Sequence, residues 1–173
     1  TTLMAVAPAD SVGRGVSEAL ARERASAVSG VRYDVAFTLP ADRRQPVSGR
    51  LVLRATLAGP HRIIIDFASP GERVRGVRVG ESPVVPVYSE DHLIVPADAT
   101  RAGENVIAIE FTAGDEALNR GDDFLYTLFV PARAHLAFPC FDQPDIRGRF
   151  SLVLEVPRGN VLSASPSLRY PRR

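Results

Sequence analysis

Three histidines, one cysteine and scattered carboxylates are the residues of this chain whose types could do chemistry. His61, His92 and His135 lie far apart in sequence, on separate predicted elements, and none has a second His or a Cys at metal-ligand spacing. A catalytic zinc site needs three protein ligands, commonly two His one helical turn apart in HExxH, and no HExxH occurs. Each histidine is therefore expected at a surface or boundary position. Cys140 has His135 five residues upstream, but a thiol nucleophile also needs an orienting group, and a lone cysteine reads as a small buried apolar residue. Asp142, between Phe141 and Gln143-Pro144, is placed to accept backbone N–H bonds and shape a turn. It reads as structural.

The elements that hold these residues follow from period and punctuation. Residues Val16 to Val28 are rich in Ala, Leu, Glu and Arg, with Val16, Leu20 and Ala27 on one side at helical spacing, and Gly30 as the expected stop. From Val31 the period becomes two: Tyr33, Val35, Phe37 and Leu39 alternate with Asp34, Ala36 and Thr38. After a polar turn over Pro40 to Gln45, Leu51, Leu53, Ala55 and Leu57 repeat the pattern. Ile63-Ile64-Ile65-Asp66-Phe67 is brief, β-branched and continuous, as a strand between two layers would be. Val74 to Val79, His92 to Val95, Val106 to Thr112 (fed by a turn at Gly103-Glu104-Asn105) and Phe150 to Val156 complete the predicted strands. Short strands with frequent turn signals predict a mainly β fold of antiparallel, curved sheets, a sandwich or saddle, with one short amino-terminal helix.

At 173 residues with 45% apolar content, the chain can build one domain with a real core. Residues 1–14 read as an extension or signal-peptide remnant, because Leu3 to Ala9 ends in an Ala-x-Ala, and 15–173 as a single domain. That remnant and the bacterial-like composition lean toward a periplasmic or secreted setting. The formal charge is +1 and all 21 basic residues are scattered arginines, which leaves no footprint for nucleic acid. One cysteine excludes an internal disulfide.

The densest signal is Phe138-Pro139-Cys140-Phe141-Asp142-Gln143-Pro144, followed by Arg147, Gly148 and a strand. It resembles the FPCFDEP signature of the zinc aminopeptidases of the aminopeptidase N family, with Gln143 where that family usually has Glu. The order of the preceding pieces is similar too: a Tyr-bearing strand, an Ile-Asp-Phe strand, a Val-x-Val-Gly strand and a Val-x-Ile-x-Phe strand, so the resemblance covers roughly Ala19 to Ser165. It implies the amino-terminal β domain of a longer enzyme. Zinc would belong to the parent's peptidase domain, with no cofactor in this fragment. The implied partners are that peptidase domain and, in the parent, a peptide substrate. The family's Gly-x-Met-Glu-Asn motif is absent, since the only Met is Met4.

The resemblance also carries a site. A Gln or Glu eight residues before the signature Phe holds the substrate's free amino group in the family, and the ungapped count from Phe138 falls on Val130, with Leu128 at another position that is often polar. Neither can accept a hydrogen bond, so either the parent recognises the amine elsewhere or Asp122 or Asp123 substitutes. The stretch Asp122 to Pro131 is otherwise expected to be a partly buried strand. The family's chain path implies a cis bond at Val130-Pro131, which proline makes accessible. The other readings are a free-standing β-sandwich module for a peptide or carbohydrate, and an inactive family relative. The absence of a closing element at Tyr170-Pro171-Arg172-Arg173 implies truncation, and with it an exposed apolar docking face and a tendency to self-associate.

Overall fold

The computed structural model describes residues 12–69, 71–122 and 124–157. The expectations about Leu3 to Ala9 and Tyr170 to Arg173 lie outside them. Ser17 caps α1 (Glu18–Ala27) by accepting from Leu20 N at 3.2 Å. The helix buries Leu20 and Arg24. Val16, expected on its apolar face, precedes the helix and is exposed.

The helix has no glycine stop. It runs directly into β1 (Val28–Thr38), and Gly30, expected to end it, sits inside that strand at φ 61°, where the pairing with the next strand shifts. The irregularity needs a left-handed backbone, and glycine supplies it without a Cβ clash.

Then come β2 (Ser48–Leu57), β3 (Ile63–Asp66), β4 (Val74–Val79), β5 (Ser82–Val84), β6 (Val87–Ser89), β7 (His92–Val95), β8 (Gly103–Thr112), β9 (Leu118–Arg120), β10 (Leu125–Thr127) and β11 (Arg149–Glu155). They form a six-stranded sheet ordered β11-β1-β2-β8-β4-β5, a three-stranded sheet β3-β7-β6 and a two-stranded ribbon β10-β9. The fold is mainly β and its sheets are antiparallel, apart from β11, which lies parallel to β1 with Tyr33 opposite Phe150. Gly103 to Asn105, expected as a turn, already pairs within β8. The turn is made by the Asn105 side chain, which accepts from Arg101 N and donates to Arg101 O and Gly103 O.

The alternating strands do what their period predicts. Tyr33, Val35 and Phe37 of β1, Leu51, Leu53 and Leu57 of β2, and Ile107, Ile109 and Phe111 of β8 point into one core. Ile63 and Ile65 meet them from β3, and Leu93 and Val95 from β7. The other face of the small sheet presents Ile64 and Ile94 to Leu20 and Val12. The small sheet is thus buried on both sides, which is why β3 is continuously apolar rather than alternating.

Candidate functional site

The only charged residue of β3, Asp66, sits in the interior, and the signature turn is built around it. The backbones of Asp66 and Cys140 bond each other reciprocally, at 2.8 and 3.0 Å. Arg24 reaches in from α1 and donates Nη1 to Asp66 Oδ2 at 2.9 Å and Nη2 to Oδ1 at 2.5 Å. Asp142 N donates to Asp66 Oδ2 at 2.9 Å. His92 Nδ1 lies 2.9 Å from Asp66 Oδ1, while its Nε2 is 3.1 Å from the carbonyl oxygens of both Gly13 and Gly15.

Burial alone would push the Asp66 carboxyl up. Contact with His92 and the paired guanidinium of Arg24, helped by the Asp142 N–H, outweighs burial and holds the group below the ordinary carboxylate range. The Arg24 guanidinium also lies 5.5 Å from the Phe141 ring centroid.

The signature residues close over this cluster. Phe138, Cys140, Phe141 and Gln143 are buried. Phe138 packs edge-on against Phe37 and Phe129 and tilted against Phe150. Phe141 N donates to the Tyr33 hydroxyl at 3.1 Å, and burial pushes that hydroxyl far up, so it stays neutral and able to accept. Gln143 Nε2 donates to Ala21 O at 3.0 Å, tying the turn to α1. This gives the departure from the family pattern a physical basis, because an ionised Glu has no N–H to offer that carbonyl.

Asp142 shapes its turn as expected: its Oδ2 accepts from His135 N at 3.2 Å and lies 2.6 Å from His135 Nδ1. The hydrogen bond to Asp142 raises the His135 pKa above the usual value, against the opposing effect of burial. Burial pushes the Cys140 thiol well up, the wrong direction for a nucleophile.

The histidines therefore sit in three separate pairs, His61 with Glu23, His92 with Asp66 and His135 with Asp142. His92, expected near the surface, is in the interior, because its ring is needed between the Asp66 carboxylate and two backbone carbonyls. Sequence reasoning missed the Arg24–Asp66–His92 cluster. The available signal was an acid in an otherwise apolar strand, which requires a buried cation. Zinc does not fit here: among the described residues no three His, Cys, Asp or Glu side chains come together at a metal-holding separation.

The stretch leading into the signature has the opposite character. It was expected to be a partly buried strand. Leu125–Thr127 forms the strand β10, which among the described residues pairs only with β9, and Leu125 and Phe129 are half-buried, but Phe124, Tyr126, Leu128 and Val130 are 57 to 72% exposed. The two-residue interval puts alternate apolar side chains in solvent because, among the described residues, no layer packs over the ribbon. Phe124 and Tyr126 stack at 6.1 Å. The Val130-Pro131 bond is cis, as the chain path implied. Asp122 Oδ1 pairs with Arg43 Nε at 3.0 Å, and Asp123 lies outside the described residues.

No protein-family model matches the chain. A 141-residue alignment at 28% identity relates it to Aminopeptidase M1-B of Oryza sativa subsp. japonica, covering 70% of this chain and 16% of that protein. Among solved structures it is similar to the M1 zinc metallopeptidase from Deinococcus radiodurans, with TM-score 0.63 and 21% identity over 76% of this chain and 33% of the other. The chain has the fold of an M1 aminopeptidase amino-terminal domain. Native yeast LTA4 hydrolase matches similarly, with TM-score 0.59 and 15% identity over 75% of this chain and 23% of that one. The chain thus spans a third or less of the length of each of these relatives. Within it, the signature is a buried joint between α1, β1 and β3, and the ribbon is the exposed segment leading into it.

Proposed function

We propose that this chain is the non-catalytic amino-terminal domain of a zinc aminopeptidase that removes amino-terminal residues from peptides. The observation that carries the reading is the agreement in fold with a third of the Deinococcus radiodurans M1 zinc metallopeptidase, in a domain whose signature is packed around Asp66 and whose preceding ribbon exposes four apolar side chains. The cluster fixes the base of the ribbon, and the ribbon offers a cleft wall and a docking face to a peptidase domain. Zinc and the groups that activate water belong to that second domain. Val130 contributes shape and apolar surface to the cleft, and the substrate's ammonium group finds its acceptor elsewhere in the parent. We place the parent in the periplasm or outside the cell, on the strength of Leu3 to Ala9.

The full-length product of the parent gene tests this. It should carry stoichiometric zinc and hydrolyse aminoacyl p-nitroanilides, while the 173-residue chain does neither. A parent without an HExxH segment, or one that is inert with zinc bound, would overturn the reading.

A further inference from the structure

Three arginines stand side by side across the outer face of the six-stranded sheet. Arg32 of β1 lies opposite Arg149 of β11 on one side and Arg54 of β2 on the other. Like charges directly opposed on neighbouring strands weaken a sheet. Elsewhere on this face the pattern avoids them: Arg50 lies opposite Ala36 and Glu110, and Asp34 opposite Ser151 and Val52.

Two carboxylates partly compensate the row. Arg32 donates to Glu104 and Arg54 to Asp34. The Arg149 side chain has no ion pair or hydrogen bond among the described residues. The three side chains line a shallow concavity of about 390 Å³ together with Asp34 and Ser151, and with Glu104 held on Arg32 the row sets three guanidinium groups against two carboxylates.

A guanidinium offers five N–H donors in a plane. Arg32 and Arg54 each give one to a carboxylate and Arg149 gives none, so most of the donors are uncommitted. Planar donors in excess, carrying spare positive charge over a concave strip, suit an oxyanion. A phosphate group fits better than a single carboxylate, because its three terminal oxygens can accept from two guanidinium forks at once.

We infer that the Arg149–Arg32–Arg54 row is a binding site for a phosphate-class oxyanion. The anion bridges Arg149 and Arg32 and offsets their opposition, while Glu104 and Asp34 hold Arg32 and Arg54 in place. The site lies on a different sheet from the β9–β10 ribbon and does not rest on the peptidase reading.

Thermal melts of the 173-residue chain in phosphate and in chloride, at equal pH and ionic strength, provide the test. Wild-type protein should melt higher in phosphate, with a response that saturates. Arg149→Gln should melt slightly higher than wild type in chloride, because one opposed pair is gone, and should respond to phosphate with an apparent affinity about tenfold weaker or less. Arg50→Gln, on the same face with neutral and acidic neighbours, should respond like wild type. A parallel titration with glycerol phosphate identifies the source: a response at least as strong as to inorganic phosphate points to a phosphate ester, and a response to inorganic phosphate alone points to the free anion. A phosphate effect no larger than that of chloride for both ligands, or one that survives unchanged in Arg149→Gln, would overturn the inference.

Discussion

Beneath the signature turn four polar side chains, Arg24, Asp66, His92 and Gln143, are buried, while just upstream four apolar ones, Phe124, Tyr126, Leu128 and Val130, stand in solvent. The first region holds three titratable residues, Arg24, Asp66 and His92, in close contact, yet its polar side chains are committed within the protein: Asp66 to Arg24, His92 and the Asp142 N–H, and the amide of Gln143 to the helix backbone. A buried charge is tolerated only in a geometry that satisfies it, so such a cluster restricts how helix, strand and turn can meet. The second region should contribute little to the domain's stability, since its side chains exclude little water. Between these two regions, the chemically reactive residue types are scaffold, and the inert ones are the exposed surface.

That comparison breaks most visibly at Asp66. Replacing it with Asn keeps the shape but leaves the Arg24 guanidinium buried without its counter-charge, and urea denaturation should show a loss of about 3–5 kcal/mol. The double variant Arg24→Met/Asp66→Leu removes both charges and should recover much of that loss. If the single and double variants are equally damaged, shape rather than charge pairing holds the turn. Truncating Phe138 to Ala should cost about 3–5 kcal/mol by opening a cavity among Phe37, Phe129 and Phe150.

Titration sharpens the contrast within the scaffold, with two opposite signs. The Asp66 carboxyl is held low in the folded state, so its contribution is present above the ordinary value of about 3.9 and is lost as pH falls through the lower folded value. The His135 pKa is raised by Asp142, so its contribution is complete below the ordinary value of about 6.5 and is lost as pH rises through the raised one. Urea midpoints from pH 5.5 to 8.5 should therefore fall for wild type relative to His135→Gln. Parallel curves for the two proteins would show that the His135–Asp142 contact is not a net stabilising pair.

Much of this was legible in the sequence because period-two alternation over nine or ten residues leaves little choice of face. Leu51 to Leu57 and Ile107 to Phe111 point where the pattern says. The unbroken run at Ile63 to Ile65 correctly signalled a strand covered on both sides. The failures share a cause, which is that the deciding partner is distant. Arg24 meets Asp66 across 42 residues, so apolar spacing in α1 could not reveal that its buried face includes a cation. Gly30 looked like a helix stop because glycine serves stops and bulges alike, and only the pairing with β2 distinguishes them. The three-residue strands β5, β6 and β9 are too short to show a period. The candidate site was half legible: the signature gave the location and the family's chain path the cis bond, whereas the exposure of the ribbon depends on how the other described elements pack around it.

The smallest effect on the fold should come from the ribbon, and it is also the most informative. Phe124→Ser with Leu128→Ser removes two side chains that are 57 and 60% exposed, from a segment whose only strand partner among the described residues is β9, itself three residues long. Exposed substitutions away from caps, cavities and buried networks usually change stability by no more than about 0.5 kcal/mol, so the urea midpoint should barely move. The change should appear in association instead. Uncovered apolar side chains two residues apart on an extended segment can pair with the same segment of a second copy, so sedimentation of the wild-type chain should show mass rising with concentration and the double variant should suppress that rise. In the parent, the same substitutions should weaken docking on the peptidase domain while leaving this domain folded. If the double variant unfolds the domain, the ribbon is part of the scaffold and the contrast with the Asp66 cluster fails. If it changes neither stability nor association, the ribbon is an ordinary solvated edge, and the docking face must be sought elsewhere on the domain.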